Sequence, residues 1–236
     1  MPGKPSKRKR APAVEVVPAS WPVTLMGLLF LAVQVSFLPG AASAFRLPKE
    51  ALAVAGILAI VALAASVRLR SGGITIPRGP LPLVLVCLPV LQAASALWGA
   101  DPRRALAAAA VTATWLLCAF WLATLDEGQR WRIASMTAVG AAISAVVLLL
   151  QAAGIPLLVV GASPGSRFRL SGLTGNPADF ATAAVLLLPV LLAATARRDA
   201  DRWRWLLIGG LAVAAVVSQT FTGYLALAAL ALVWLA

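Results

Sequence analysis

Eight long apolar runs, separated by short polar segments, decide most of what this chain can fold into. They cover residues 21–38, 51–67, 81–98, 105–124, 133–160, 178–196, 205–219 and 222–236. A helix needs roughly 20 apolar residues to cross the hydrocarbon core of a bilayer. The chain is 61% hydrophobic, whereas a soluble domain is usually about 45–50% apolar. We therefore predict an all-α, polytopic transmembrane helix bundle of about eight spans.

The basic residues predict the direction of these spans. If the N-terminus is cytoplasmic, fourteen of the 20 Lys and Arg residues fall in inner segments and six in outer loops. The positive-inside rule therefore favours a cytoplasmic N-terminus. Residues 1–20 are predicted to be a basic cytoplasmic tail, and residues 21–236 a transmembrane helical domain. Topology and anionic headgroups account for the net charge of +12, so we do not expect a nucleic-acid partner.

The first apolar run has a second interpretation. A basic stretch, an apolar run and "AASA" at 41–44 are also typical of a secretory signal that is cleaved after Ala44. Such signals usually have an apolar region of about 7–15 residues, which is shorter than the run at 21–38. A first span and a cleaved signal both remain open, and both leave residue 45 on the outer side.

Several helices are predicted to be irregular or closely packed. Gly154 and Pro156 predict a kink or an early end of the fifth helix. The six residues "SQTFTG" (218–223) predict a tight turn or a broken helix between the last two runs. Glycines 27, 140, 209 and 210 lie among many alanines, a pattern that lets transmembrane helices approach closely. Most of the tryptophans fall near helix ends, as in an aromatic belt.

The residue types commonly used in metal sites are scarce. The chain has no histidine and only two cysteines, Cys87 and Cys118, both within apolar runs. We interpret these cysteines as small buried hydrophobic residues without a disulfide. The sequence supports neither a metal site nor a haem site, and we expect no cofactor.

The polar stretch "RLSGLTGNPADF" (169–180) lies between two apolar runs on the predicted outer side. Gly172 and Gly175 permit a tight turn, Asn176 and Pro177 are a helix-start signal, and Asp179 becomes the third helical residue. Free N–H groups at a helix start beside Arg167 and Arg169 would suit a phosphate or a pyrophosphate. Asp179 would repel that anion. A connector and an anion site therefore both remain open.

Two further stretches contain polar groups near the predicted helix ends. In "SALWGADPRRAL" (95–106), Asp101 and Pro102 predict a helix start, and Arg103 and Arg104 face outward. This stretch is either a capped turn or a second wall of the same outer site. In "SQTFTGYLAL" (218–227), hydroxyl and amide groups either bond neighbouring helices or serve a function. The single glutamines Gln34, Gln92 and Gln151 are interpreted as hydrogen-bonding contacts between helices.

Together the three stretches resemble motifs of the O-antigen ligase and polymerase family of bacterial envelope proteins. "SALWGADPRRA" is similar to the family element S-x-L-W-x-x-D-P-x-x-A. "RLSGLTGNPADFA" is similar to R-x-x-G-x-x-G-N-P-N-x-x-A, with Asp179 one place beyond the usual second Asn. "TFTGY" keeps the Thr and Gly of T-x-S-R-G but has no arginine. The likeness extends over roughly the first two-thirds of a family member.

The resemblance implies a metal-independent glycan transferase of the bacterial inner membrane. Its donor would be a glycan linked to undecaprenyl pyrophosphate, presented at the periplasmic face. Arg169 matches a family arginine that binds the pyrophosphate, and Arg167 and Arg103 would assist it. Gly172, Gly175, Asn176, Pro177 and Asp179 would shape the site, and no residue of this chain is assigned a catalytic role.

The chain departs from the family in lacking its large periplasmic loop, with a further arginine and a catalytic histidine. We therefore expect a truncated or split member that is inactive alone and is completed by a partner chain. Two alternatives remain open: a transporter for a small anion such as bicarbonate, and a non-catalytic membrane subunit. The only charged residue within the apolar runs is Asp179, at the start of the sixth, so none lies near the middle of a run, which disfavours ion coupling.

Overall fold

The computed structural model describes residues 20–37, 46–70, 79–155, 157, 172–174, 177–196 and 202–235. Within these ranges the regular secondary structure is helical throughout. The helices are α1 (Trp21–Val35), α2 (Arg46–Arg70), α3 (Pro80–Ala94), a short 3-10 helix (Ser95–Leu97), α4 (Pro102–Ala123), α5 (Glu127–Ala152), α6 (Pro177–Ala196), α7 (Arg202–Val217) and α8 (Phe221–Leu235). The all-α prediction is confirmed for the described residues, and one α-helix corresponds to each of the eight apolar runs.

Within the described residues, four helical segments are long and apolar enough to cross a membrane. They are Arg46–Arg70, Pro80–Leu97, Pro102–Ala123 and Glu127–Ala152. The segments Trp21–Val35, Ala178–Leu192 and Trp205–Val217 are apolar but shorter. At a rise of about 1.5 Å per residue, a 15-residue helix such as α1 covers about 22 Å of a hydrocarbon core about 30 Å thick. Four of the eight predicted spans therefore have the length and composition that a crossing requires.

The helix ends follow local sequence signals. Asp126 and Gln129 form a capping box at the start of α5, in which each side chain bonds the backbone N–H of the other. At the other end, Gly154 has φ +86° and the Ile155 N–H bonds the Leu150 carbonyl, a glycine-terminated helix end. The predicted early end of the fifth helix is confirmed, and Pro156 lies outside the described residues.

Contacts between helices define the direction of each one. Lys49 at the start of α2 donates to the carbonyls of Val33 and Gln34 at the end of α1, both at 2.7 Å. Arg68 near the end of α2 donates to Thr124 just after α4, at 2.7 Å. Neighbouring α1 and α2 therefore run in opposite directions, while α2 and α4 run in the same direction. At one end of the structure α1 and α5 finish and α2, α4 and α6 begin. We call this the Gln151 end.

Two of the four glycines predicted to allow close packing lie in a helix interface. A Cβ built on Gly140 would be 2.9 Å from the Cβ of Gln34 and 3.0 Å from the carbonyl oxygen of Leu31, so α1 and α5 are close at this point. Gly27 similarly faces Met136. Gly209 and Gly210 in α7 do not lie in an interface between described residues, because a Cβ on either would meet none of their atoms within 4 Å.

Two apolar clusters hold the described helices together, and α5 contributes to both. The first joins α1, α2 and α4 to the start of α5 through Val23, Met26, Leu29, Ala53, Ile57, Ile60, Ala64, Cys118, Trp121, Leu125 and Ile133. The second joins α5, α6 and α7 through Ala138, Ala141, Ala145, Leu148, Phe180, Ala184, Leu188, Leu191, Ile208, Leu211, Ala214 and Ala215. Helix α3 buries no residue and packs against α4.

The tryptophans and cysteines differ from the sequence-based expectation in their exposure. Trp98 is 74% exposed, as an aromatic belt requires, whereas Trp121 is only 8% exposed because it packs in the first cluster. Both cysteines are free, but only Cys118 is buried, and Cys87 is exposed on α3. A tryptophan that lies near a helix end in the sequence is therefore not always exposed on the surface of the protein.

Candidate functional site

The turn at 172–174 rests directly on α5. Gly172 has φ +54°, and a Cβ placed on it would lie 2.7 Å from the backbone carbonyl oxygen of Ser144. Only a glycine fits this combination of a left-handed backbone and such a close approach. The predicted tight turn at Gly172 is confirmed, while Gly175 lies outside the described residues.

Two buried polar side chains of α5 bind this turn. The Gly172 N–H donates to Oε1 of Gln151 at 3.0 Å, and the Leu173 N–H donates to Oγ of Ser144 at 3.0 Å. Gln151 also donates from Nε2 to the carbonyl of Leu157 at 2.9 Å. The interpretation of Gln151 as a contact between helices was therefore incomplete, because it binds the connection between α5 and α6.

Sequence reasoning did not identify Ser144 as a member of this site. A serine among alanines is unremarkable in a transmembrane helix, where small residues are common at interfaces. The sequence offered one signal for Ser144, which was its separation from Gln151 along the chain. A separation of seven residues is close to two helical turns, which places both side chains on one face of α5.

The first turn of α6 follows the predicted helix start. Pro177 is the first residue of α6, and Asp179 is an exposed third residue in its first turn. The predicted site residues Arg167, Arg169 and Asn176 lie outside the described residues.

The stretch at 218–223 lies beside the first turn of α6. Thr220 accepts from the Gly223 N–H at 3.2 Å and so caps α8, and the Tyr224 hydroxyl donates to the Val216 carbonyl at 3.2 Å. A Cβ on Gly223 would be 3.1 Å from the Cβ of Ala181 and 3.2 Å from the Ala215 carbonyl oxygen. The chain therefore reverses at 218–220, which confirms the tight turn and excludes the broken helix.

The stretch at 95–106 occupies a different part of the same end. Asp101 accepts from the Arg104 N–H at 3.0 Å and caps α4, which begins at Pro102 as predicted. Arg103 and Arg104 are exposed. Helix α4 packs against α2 and α3, whereas α6 packs against α5, α7 and α8. The structure thus brings the 172–180 and 218–223 stretches together, and among the described residues it does not pack the helices of 95–106 against either.

Comparison with protein-family models, with curated proteins and with solved structures finds no match to this chain. Within the described ranges, no group of three or more His, Cys, Asp or Glu side chains is arranged to hold a metal ion. The helices themselves show the broad class of the protein: it is an all-α protein with helices long and apolar enough to cross a membrane.

Proposed function

We propose that the chain is an O-antigen ligase-like membrane protein that binds the pyrophosphate of an undecaprenyl-linked glycan at its Gln151 end. In this proposal the eight helices span the bacterial inner membrane, the N-terminus is cytoplasmic, and the Gln151 end faces the periplasm. Arg169 binds the pyrophosphate, with Arg167 and Arg103 as further cationic groups. The bound glycan is then available for transfer to an acceptor or for polymerisation.

The contact between two of the three stretches that resemble family motifs is the observation that supports this proposal most. Gly223 of the "TFTGY" element is within 3.1 Å of Ala181 of the "RLSGLTGNPADFA" element, measured from a Cβ built on the glycine. Gly223 and Ala181 are 42 residues apart in the sequence, so their proximity depends on the fold. Elements that resemble parts of one family site are expected to lie together if the chain serves the same function.

Charge is the physical reason for assigning the pyrophosphate to arginine. A departing pyrophosphate accumulates negative charge, which a guanidinium stabilises through paired, charge-assisted hydrogen bonds. Asp179, which is exposed in the first turn of α6, would repel that anion, so the assigned arginines have to outweigh it.

Binding to a short-chain analogue tests the proposal without requiring glycan transfer. The purified chain is placed in lipid nanodiscs and titrated with farnesyl pyrophosphate, with tryptophan fluorescence as the readout. Loss of a hydrogen bond to a charged group costs about 1.5–3 kcal/mol. Arg169→Ala is therefore expected to weaken binding roughly 10- to 100-fold.

Two controls make this experiment specific. Arg104→Ala removes an exposed arginine that is not assigned to the site, and it is expected to leave the affinity unchanged. Farnesyl monophosphate is expected to bind more weakly than the pyrophosphate because it carries less charge. Equal affinities of the native chain and Arg169→Ala for farnesyl pyrophosphate would contradict the proposal.

No observation favours the alternative of a small-anion transporter. The buried polar residues in the described part of the chain are Thr114, Ser144, Gln151 and Ser218, none of them ionisable. Each exchanges a hydrogen bond with backbone of this chain. Such side chains serve the fold, and a transport site needs polar groups directed towards a solute.

A further inference from the structure

The end of the structure opposite the Gln151 end collects the ends of several helices. There α2 and α4 finish and α5 begins. Helix α7 begins there as well, because its last turn lies beside the first turn of α6. A Cβ on Gly223 would be 3.2 Å from the carbonyl oxygen of Ala215 in α7 and 3.1 Å from the Cβ of Ala181 in α6. We call this opposite end the Arg70 end.

Three helices carry an exposed arginine at the Arg70 end, each at the end of an exposed apolar strip. On α7 the arginine is Arg202, and the strip continues with Leu206 and Val213. Spacings of three, four and seven residues keep side chains on one side of a helix. The corresponding sets are Arg132, Val139 and Ile143 on α5, and Arg70, Val67 and Leu63 on α2. Each of these helices therefore places a cation next to apolar surface.

The start of α7 shows this order in most detail. Arg202 is the first residue of the helix, Trp203 and Trp205 are 47% and 51% exposed, and Leu206 lies one turn further along. In a bilayer, charged headgroups lie outermost, indole rings collect at the headgroup level, and the acyl chains lie beneath. The sequence of a cation, two indole rings and an apolar side chain along α7 matches the order of these layers.

The cations at the Arg70 end are not engaged by acidic groups in the described part of the chain. None of the three exposed arginines is paired with a described carboxylate. At the Gln151 end, by contrast, Arg46 pairs with Glu50 at 2.6 Å, and Lys49 donates to two backbone carbonyls. The three guanidinium groups at the Arg70 end can therefore interact with anions outside the described chain.

We propose that the Arg70 end binds anionic phospholipid headgroups through Arg70, Arg132 and Arg202. A guanidinium attracts a negatively charged headgroup and forms paired hydrogen bonds with its phosphate. Helix α2 packs against α1 and α4, whereas α7 packs against α5, α6 and α8. The arginines are thus spread across the bundle, and a layer of headgroups fits them better than a single compact anion. This role does not depend on pyrophosphate binding at the Gln151 end.

Brominated lipids measure the headgroup preference at each end of the full-length chain. Two variants each retain a single tryptophan, either Trp205 at the Arg70 end or Trp98 at the Gln151 end. Quenching by brominated phosphatidylglycerol and by brominated phosphatidylcholine gives the ratio of their association constants near that tryptophan. Attraction of one arginine to an anionic lipid corresponds to about fivefold in this ratio. We expect a ratio of about five at Trp205 and a lower ratio at Trp98, because Asp101 nearby repels an anionic headgroup.

Arg202→Gln tests the assignment of the arginine and has a matched control. The substitution removes the charge but keeps a polar side chain, and it is expected to lower the ratio at Trp205 about fivefold, to near one. Arg104→Gln removes an exposed arginine at the Gln151 end and is expected to leave the ratio at Trp205 unchanged. Added salt is expected to lower the ratio at Trp205 in the native background, because it screens exposed charges.

Equal ratios at Trp205 and Trp98, or an unchanged ratio at Trp205 in Arg202→Gln, would overturn the proposal. Dimers that shield Trp205 from both lipids would also overturn it and would assign the Arg70 end to a second copy of the chain. If a single-tryptophan variant does not fold, native mass spectrometry counts the two lipids that the native chain and Arg202→Gln retain from an equimolar mixture. Equal retention of both lipids by the native chain would then refute the preference.

Discussion

Gly140 is the position at which one added methyl group tests the closeness of α1 and α5. In Gly140→Ala the new Cβ would lie 3.0 Å from the Leu31 carbonyl oxygen and 3.1 Å from the Leu31 Cα. Both are backbone atoms of α1, so no side-chain rotation relieves the contact. Overpacking of this kind costs about 1–3 kcal/mol. The alanine recovers about 1 kcal/mol through its higher helix propensity.

Gly210→Ala is the matched control for this substitution. Nothing lies within 4 Å of a Cβ on Gly210, which is also inside a helix. The substitution is therefore expected to stabilise the protein by about 0.5–1 kcal/mol. Because the propensity gain is common to both variants, the difference between them isolates the clash at α1 and should be about 1–3 kcal/mol.

Unfolding in mixed micelles measures both variants. The purified protein is titrated with rising mole fractions of sodium dodecyl sulfate, and helicity and tryptophan fluorescence are followed. We expect Gly140→Ala to unfold at a lower mole fraction than the native chain, and Gly210→Ala at an equal or higher one. Shifts of the same sign and size in both variants would refute the close approach of α1 to α5.

Two further expectations concern the cap of α8 and the exposure of two tryptophans. Thr220→Val removes the hydroxyl that caps α8 and is expected to cost about 1 kcal/mol in the same unfolding assay; Thr220→Ser should keep most of that stability, and equal losses in both would argue against the cap. In variants that retain a single tryptophan, brominated lipids are expected to quench the exposed Trp98 much more than the buried Trp121. Equal quenching of the two would contradict their assigned environments.

The helix ends were predictable because short-range chemistry determines them. Asp101 and Pro102 start α4, Pro177 starts α6 and Gly154 ends α5, each through its own backbone or its nearest neighbours. Successive helices also run in alternating directions, as expected for consecutive spans of one chain. Such features need no knowledge of which helix is adjacent to which.

The partners of each helix were not predictable for a physical reason. A helix that is apolar on all sides has no polar face to indicate its orientation. Gly140 and Gly210 therefore look alike in the sequence, although a Cβ on Gly140 would meet α1 and a Cβ on Gly210 would meet no described residue within 4 Å. Similarly, the glycine turn at Gly172 was evident from sequence, but its partner Ser144 was not, because that pairing depends on how α5 and the turn meet.

The packing of α1 against α5 has a consequence for the biogenesis of the protein. This is the most extensive helix pair described, yet α1 ends at Val35 and α5 begins only at Glu127. At about 5–20 residues per second, roughly 5 to 20 s of synthesis separates the two helices at the ribosome. The contacts of α1 with α2, through Lys49 and Leu29, join residues that are synthesised close together in time. They can therefore form before the contacts of α1 with Gly140 on α5.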